Sequence, residues 1–321
     1  MKLLVTGGAG YIGAAVSRLL LESGHRVTIF DNLSNGYRKA IPEGAEFVQG
    51  DLSDCPSVDA VLAAGAFDAV LHFAAFIEAG ESMALPEKYF RNNSANTLNL
   101  VEAMLRHRVA RIVFSSTAAL YGNPEPTPIT EEARLSPTNA YGESKLLVEK
   151  MLAWMHACHG LRYASLRYFN AAGALEDHGE AHQPETHLIP RILGVALGKA
   201  PHALIYGTDY PTPDGTCVRD YIHIADLASA HLLALEALDV REKLVYNLGN
   251  GSGFSVRQVI ETARKVSGHP IPVIEEARRP GDPAVLIASS DKIRSELGWA
   301  PRFPSLEAII EGAWRWHYRQ G

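Results

Sequence analysis

Three cysteines in 321 residues, Cys55, Cys158 and Cys217, are too few and too scattered to frame a disulfide scaffold. Their odd number points the same way, and a reducing compartment is the simplest setting. No stretch approaches the roughly 20 consecutive apolar residues that a membrane span needs. The opening Met1-Lys2-Leu3-Leu4-Val5-Thr6-Gly7 lacks the long apolar core and small-residue cleavage site of a secretory leader, so a cytoplasmic location is expected. Basic tracts are missing as well, and the formal charge is −6, which leaves no electrostatic footprint for a nucleic-acid partner. Internal repeats, low-complexity segments and linkers are also absent. What remains is an ordinary globular composition, 47% apolar and 21% charged, in a chain long enough for one large α/β domain or two coupled ones.

The first residues set a pattern. Leu3-Leu4-Val5 is a short apolar run that stops at Thr6-Gly7-Gly8-Ala9-Gly10-Tyr11-Ile12-Gly13, after which Ile12, Val16, Leu19 and Leu20 recur at helical spacing up to Gly24. A second strand, Val27 to Phe30, ends in Asp31. Glycines allow the backbone to turn and approach a pyrophosphate, and the following helix N-terminus offers unpaired N–H groups and partial positive charge. Asp31 comes about 20 residues after the loop, where a carboxylate binds adenosine ribose hydroxyls and repels a 2′-phosphate, so NAD is expected over NADP.

Alternation of strand and helix continues. Phe47 to Asp51, Ala69 to Ala75, Arg111 to Thr117 and Tyr163 to Tyr168 read as strands; Val58 to Leu62, Asn92 to Leu105 and Tyr141 to His156 read as helices. The expected fold is α/β, a doubly wound parallel sheet with helices on both faces. In such sheets ligands bind at the carboxyl ends of strands, and Thr6-Gly7, Asp31, Asp51, Ala74-Ala75, Ser115 to Thr117 and Asn170 all fall there. Asp51 could reach the adenine side of a dinucleotide or serve as a turn aspartate. His72 reads as a hydrogen-bonded core histidine.

Within the helix read from about Tyr141, Tyr141-Gly-Glu-Ser-Lys145 places a phenol and an ammonium one turn apart on one face. Tyrosine ordinarily ionises near 10, and a neighbouring cation favours the phenolate, which suits proton exchange with a sugar or alcohol hydroxyl. By itself the pair is a weak signal, more often two solvated side chains; the cofactor loop and the strand-end residues give it a catalytic context. Ala171 to Glu185 is a long polar stretch that reads as a loop over a binding site. Its histidines, His178, His182 and His187, have no helical pairing and no supporting cysteine or carboxylate cluster, so no metal site is expected. Leu188 to Leu197 and Ala225 to Leu238 read as helices, and Val245 to Leu248 as a strand returning to the sheet. Arg219 and Arg279 are candidates for a diphosphate clamp through their planar bidentate donors.

Together, Thr6 to Gly13, Asp31-Asn32-Leu33-Ser34 and Tyr141 to Lys145 resemble the extended short-chain dehydrogenases/reductases. Arg167 to Gly173, Asp214 to His223 and Arg279-Pro280-Gly281-Asp282 resemble, more narrowly, the UDP-glucose 4-epimerases. That resemblance spans nearly the whole chain. It implies a Rossmann-like NAD-binding domain over 1–170, rejoined by about 217–248, and a smaller C-terminal substrate-binding part over 171–321. By the same resemblance NAD is held by Gly7, Gly10, Tyr11, Ile12, Gly13, Asp31, Asn32, Ser34, Asn35, Asp51, Leu52, Phe73, Ala74, Ala75, Asn92, Ser115, Tyr141, Lys145 and Tyr168. The UDP-sugar is held by Thr117, Tyr141, Asn170, His187, Leu188, Leu204, Tyr206, Arg219, Arg279 and Asp282. Tyr141 is the implied proton shuttle, with Lys145 lowering its pKa and Thr117 bonding the sugar 4-oxygen. A homodimer is implied too.

Three positions depart from the family pattern. Ile77 stands where some epimerases carry a lysine able to touch the cofactor, and His187 where others carry asparagine. Leu286 aligns with a bulky tyrosine that keeps N-acetyl sugars out of some members, so tolerance of UDP-N-acetyl sugars is expected. Ala118-Ala119 after Thr117 cannot supply the extra acid/base pair a 4,6-dehydratase needs. Epimerases of UDP-pentoses or UDP-N-acetylglucosamine, and a non-catalytic dinucleotide sensor, are the remaining alternatives.

Overall fold

The computed structural model describes residues 1–279 and 282–320, so Pro280 and Gly281 of the Arg279 to Asp282 motif lie outside the described residues. Six strands fill the first half: β1 (Lys2–Thr6), β2 (Arg26–Asp31), β3 (Glu46–Gln49), β4 (Ala69–His72), β5 (Arg111–Thr117) and β6 (Arg162–Tyr168). Then come β7 (Asn170–Ala172), β8 (Ala203–Tyr206), β9 (Val218–His223), β10 (Lys243–Leu248), β11 (Gly253–Ser255), β12 (Val273–Glu276) and β13 (Val285–Leu286). The main sheet runs β3-β2-β1-β4-β5-β6-β10 and is parallel throughout. Strand order reverses between β1 and β4, which opens the crevice where doubly wound sheets take their ligands.

Strand periodicity explains the two-sided core. Leu3 and Val5 of β1 face one way and pack with Val16, Leu20, Leu227 and Ala234 from the helices Tyr11–Glu22 and Ile224–Ala237. Leu4 faces the other way, with Val58, Leu62, Leu100, Met104, Val148 and Leu152 from the helices Cys55–Gly65, Asn96–Arg106 and Ala140–His159. Burial on both faces is why these strands read as continuous apolar runs.

The C-terminal part has its own core, in which Ile189, Ile192, Val259, Ile260, Ile309 and Ile310 meet. They come from the helices Leu188–Ala196, Val256–Ser267 and Leu306–Gln320. A small sheet joins β9 to β7, β11 and β13. This corrects one expectation: of segment 217–248, the stretch Val218–His223 belongs to the small sheet, and only Ile224 onward rejoins the large one. The cause is Asp220, a fully buried carboxylate that accepts the N–H groups of Asn250, Gly251 and Ala288 and pins β9 there. The helix expected over 92–105 is also interrupted: a π-helical turn, Phe90–Ala95, precedes Asn96–Arg106. Among the described residues no helix is long and apolar enough to cross a membrane.

Candidate active site

A cavity of about 1140 Å³ lies over the carboxyl ends of β1, β2, β4, β5 and β6, and every residue expected to hold NAD or the UDP-sugar lines it. At its cofactor end the glycine loop is tight. Gly7 has φ +72°, and a Cβ there would lie 2.4 Å from the backbone nitrogen of Ala74; one on Gly13 would lie 2.2 Å from the Gly7 carbonyl oxygen. Side chains at either position would push the loop off the neighbouring strand or the helix off the loop. Asp31 accepts N–H groups from Ala9 at 3.0 Å and Leu33 at 2.8 Å, so its carboxylate already braces both loops. Asp51 accepts from the Ser53 hydroxyl at 2.6 Å, from Asn32 Nδ2 at 2.6 Å and from the Ser53 backbone N–H at 2.7 Å, and these bonds, the hydroxyl foremost, hold it below the usual carboxylate range despite partial burial. It therefore fulfils the turn role and lines the cavity as well. His72 bonds Thr6 and Thr97 inside the core, as its setting in the strand suggested.

Tyr141 and Lys145 sit in the first two turns of the helix Ala140–His159, which is capped by the Asn139 side chain accepting the N–H of Gly142 at 2.8 Å. Its second turn is fixed by Ser144, whose Oγ accepts from Asn93 Nδ2 and donates to the Tyr141 carbonyl. Lys145 is only 3% exposed, and burial draws its pKa down to about 7. Its Nζ donates to the Ser115 carbonyl at 2.8 Å and lies 4.9 Å from the centre of the Phe114 ring. The expectation of a phenol lowered by Lys145 does not hold in this structure. Burial raises the Tyr141 pKa, a hydrogen bond with Thr117 opposes the rise, and the charge of Glu78 adds to it. Tyr168 bonds Ser115, and burial pushes that phenol up too.

Toward the other end, Arg279 lies over the Tyr206 ring at 3.8 Å and, with Arg191, lowers that phenol's pKa. Arg219 donates to the carbonyls of Val218 and Pro283 and sits 3.4 Å from Asp282. Asn170 Nδ2 is engaged with the Asp220 carbonyl. Leu188 opens the helix Leu188–Ala196, and Leu204 and Tyr206 lie on β8. Leu286 is not among the cavity-lining residues; it packs with Ala118, Tyr121, Ile129 and Phe169. Ile77 does line the cavity.

Residues 171–185 fold over the cavity and are tied to the glycine-loop helix. Tyr11 donates to the Gly173 carbonyl at 2.7 Å, His178 Nε2 lies 2.7 Å from the Tyr11 carbonyl oxygen, and Tyr37 bonds the Ala181 carbonyl. Contrary to the expectation that no carboxylate supports these histidines, Glu180, His182 and His187 come together, with one ligand atom from each lying within 4.8 Å of the others. The loop achieves in space what no sequence spacing displayed. Burial opposes charge on His187, yet its bond to Glu185 and the charge of Glu180 lift its pKa to about 8. Glu78 and Arg191 also line the cavity without having been singled out. Arg191, one turn beyond Leu188 on the same helix face, carried a readable signal; the isolated Glu78 carried none.

The glycine loop, the switch-point crevice and the Tyr/Lys/Thr group define a nucleotide-cofactor enzyme of the doubly wound class, and the chain belongs to the NAD dependent epimerase/dehydratase family, whose model matches residues 3–249. It is 52% identical to the UDP-glucose 4-epimerase of Corynebacterium glutamicum over 314 residues, covering 98% of this chain and 95% of that one. A crystal structure of UDP-glucose 4-epimerase matches with TM-score 0.97 at 48% identity, covering 100% and 98% of the two chains. The Brucella ovis UDP-glucose 4-epimerase in complex with NAD matches with TM-score 0.95 at 43% identity over 98% and 97%.

Proposed function

We propose that this protein is an NAD-dependent 4-epimerase that interconverts UDP-glucose and UDP-galactose through a transient 4-keto sugar. The observation that carries the reading is the meeting of Tyr141, Lys145 and Thr117 at one strand end, inside the cavity that the glycine loop and Arg279 share. Full-length similarity to UDP-glucose 4-epimerases supports it.

Gly7 and Gly13 let the loop close tightly onto the neighbouring strand and the helix N-terminus that would face a pyrophosphate, and Asp31 offers carboxylate lone pairs to a ribose; these residues fit NAD. NAD, when bound, takes hydride from sugar C4 and gives it back. Tyr141 removes the 4-OH proton as hydride departs and returns it once the sugar has turned its other face. Thr117 holds the 4-oxygen, and Lys145 anchors the nicotinamide ribose. Asn170, His187, Leu188, Leu204, Tyr206, Arg219, Arg279 and Asp282 bind the UDP-sugar, the arginines taking the diphosphate. In this reading 1–170 with 224–248 serves the cofactor and the remainder of 171–321 the substrate. We further infer a cytoplasmic homodimer, which sedimentation of the purified protein checks.

Tolerance of UDP-N-acetyl sugars is kept in the reading on the family resemblance at Leu286 alone, since that side chain packs outside the cavity lining. The test gives purified protein UDP-galactose, UDP-N-acetylgalactosamine and a UDP-pentose without added NAD and measures the 4-epimers. Accumulation of a 4-keto sugar instead of an epimer overturns the epimerase reading, and no turnover of the N-acetyl substrate overturns the wider specificity. In Tyr141→Phe, turnover should collapse with NAD retained; a variant that stays active removes Tyr141 from the mechanism.

A further inference from the structure

We infer that Glu180, His182 and His187 form a site for a divalent transition-metal ion of the zinc type at the edge of the main cavity. The inference goes beyond the epimerase reading, whose proton and hydride transfers need no metal. One ligand atom from each residue lies within 4.8 Å of the others, with Glu180 buried and both histidines partly so. A tetrahedral ion with bonds of about 2.0 Å holds its ligand atoms roughly 3.3 Å apart, so small side-chain rotations close the set.

Two further observations bear on the cluster. His182 Nδ1 lies 2.7 Å from Glu180 Oε1, an ion-pair contact that already brings two ligand atoms to one point. A metal cation can displace the proton that two such atoms share. His187, for its part, presents Nδ1 to Glu185 Oε1 at 2.8 Å, an arrangement that fixes the ring and leaves Nε2 free. An outer carboxylate on a histidine is how metal sites commonly orient a ligand.

The backbone beneath is braced. Trp316 Nε1 donates to the Glu180 carbonyl at 3.0 Å, and the Glu180 carboxylate accepts the N–H groups of Ala181 and His182 at 2.8 and 3.0 Å. His178 is excluded from the ligand set by its contact with the Tyr11 carbonyl. Two imidazoles and one carboxylate favour zinc, nickel or copper over magnesium or calcium. Three protein ligands leave a position open, and because all three residues line the cavity, an oxygen of water or of a bound phosphate can take it.

Titration calorimetry with Zn²⁺ on full-length protein first treated with a chelator tests the site, together with the visible spectrum of the Co²⁺ form. One ion per chain is expected, with a tetrahedral Co²⁺ band. Binding should weaken at least about tenfold in His182→Ala and in Glu185→Gln, which keeps all three ligands, and stay unchanged in the surface control His159→Ala. No saturable binding at one ion per chain overturns the proposal. So does binding that weakens equally in His159→Ala, or not at all in either test variant, since that marks adventitious surface histidines. NAD content and melting temperature of each variant confirm folding. The readout is metal occupancy, so it stands or falls separately from epimerase activity.

Discussion

Replacing Lys145 by methionine is expected to stabilise the fold while abolishing turnover. The side chain is 3% exposed, and its ammonium is held at about 7 against an ordinary 10.5. At about 1.4 kcal/mol per pH unit, a lysine fully charged when unfolded and half charged when folded costs roughly 4 kcal/mol at pH 7. Its hydrogen bond to the Ser115 carbonyl offsets about 1 kcal/mol of that. Methionine fills similar volume without the charge, so the variant should gain roughly 3 kcal/mol at pH 7. The sign with pH follows from proton counting. Between pH 7 and 10.5 the unfolded chain binds more protons at this site, so wild-type stability rises with pH through that window. Near pH 9.5 the cost falls to about 1 kcal/mol, and the advantage of the variant should nearly vanish. Urea unfolding of both proteins, stripped of NAD, at pH 7 and about 9.5 measures the two differences. A variant less stable than wild type at pH 7, or a difference that ignores pH, refutes the reasoning.

Gly13→Ala places a methyl 2.2 Å from the Gly7 carbonyl oxygen, and the purified variant should carry far less NAD than wild type; full occupancy would show that the loop relaxes freely. Asp220→Ala strips the acceptor from three buried or half-buried N–H groups and should cost at least about 3 kcal/mol in chemical denaturation, with the small sheet exchanging its amide hydrogens first. Unchanged protection of β9 would deny Asp220 its pinning role. Asn139→Ala removes the cap of the helix that carries Tyr141 and should lower stability by about 1 kcal/mol, measured by the same denaturation; a larger fall in turnover than in stability would show that the cap also aims the phenol.

Local rules sufficed where side-chain pattern and backbone demand coincide. Leu3-Leu4-Val5 announced a strand buried on both faces because Leu3 and Val5 enter one core and Leu4 the other. The glycine loop was readable because steric need at Gly7 and Gly13 admits no other residue without displacement. Non-local features were not. That β9 joins the small sheet depends on Asp220 meeting Asn250, Gly251 and Ala288, partners up to 68 residues away. The helix Val256–Ser267 could have been found from its capping box, Ser255 with Gln258, but its core partners Ile309 and Ile310 lie in a separate helix. The Glu180, His182 and His187 cluster illustrates the same limit, since an irregular loop has no period from which contact can be inferred.

Tyr141 and Lys145 show where pattern reading must yield to environment. Spacing puts the two on one helix face and suggests that the cation simply lowers the phenol. In the structure, burial raises the tyrosine and lowers the lysine, and the lysine donates to Ser115. Both shifts have one origin, since removing water disfavours phenolate and ammonium alike when each is taken alone. The same removal strengthens the attraction between the two charges once both are present. The phenol that the proposed reaction needs as a proton acceptor is held neutral by burial, and the hydrogen bond with Thr117 is what opposes that shift.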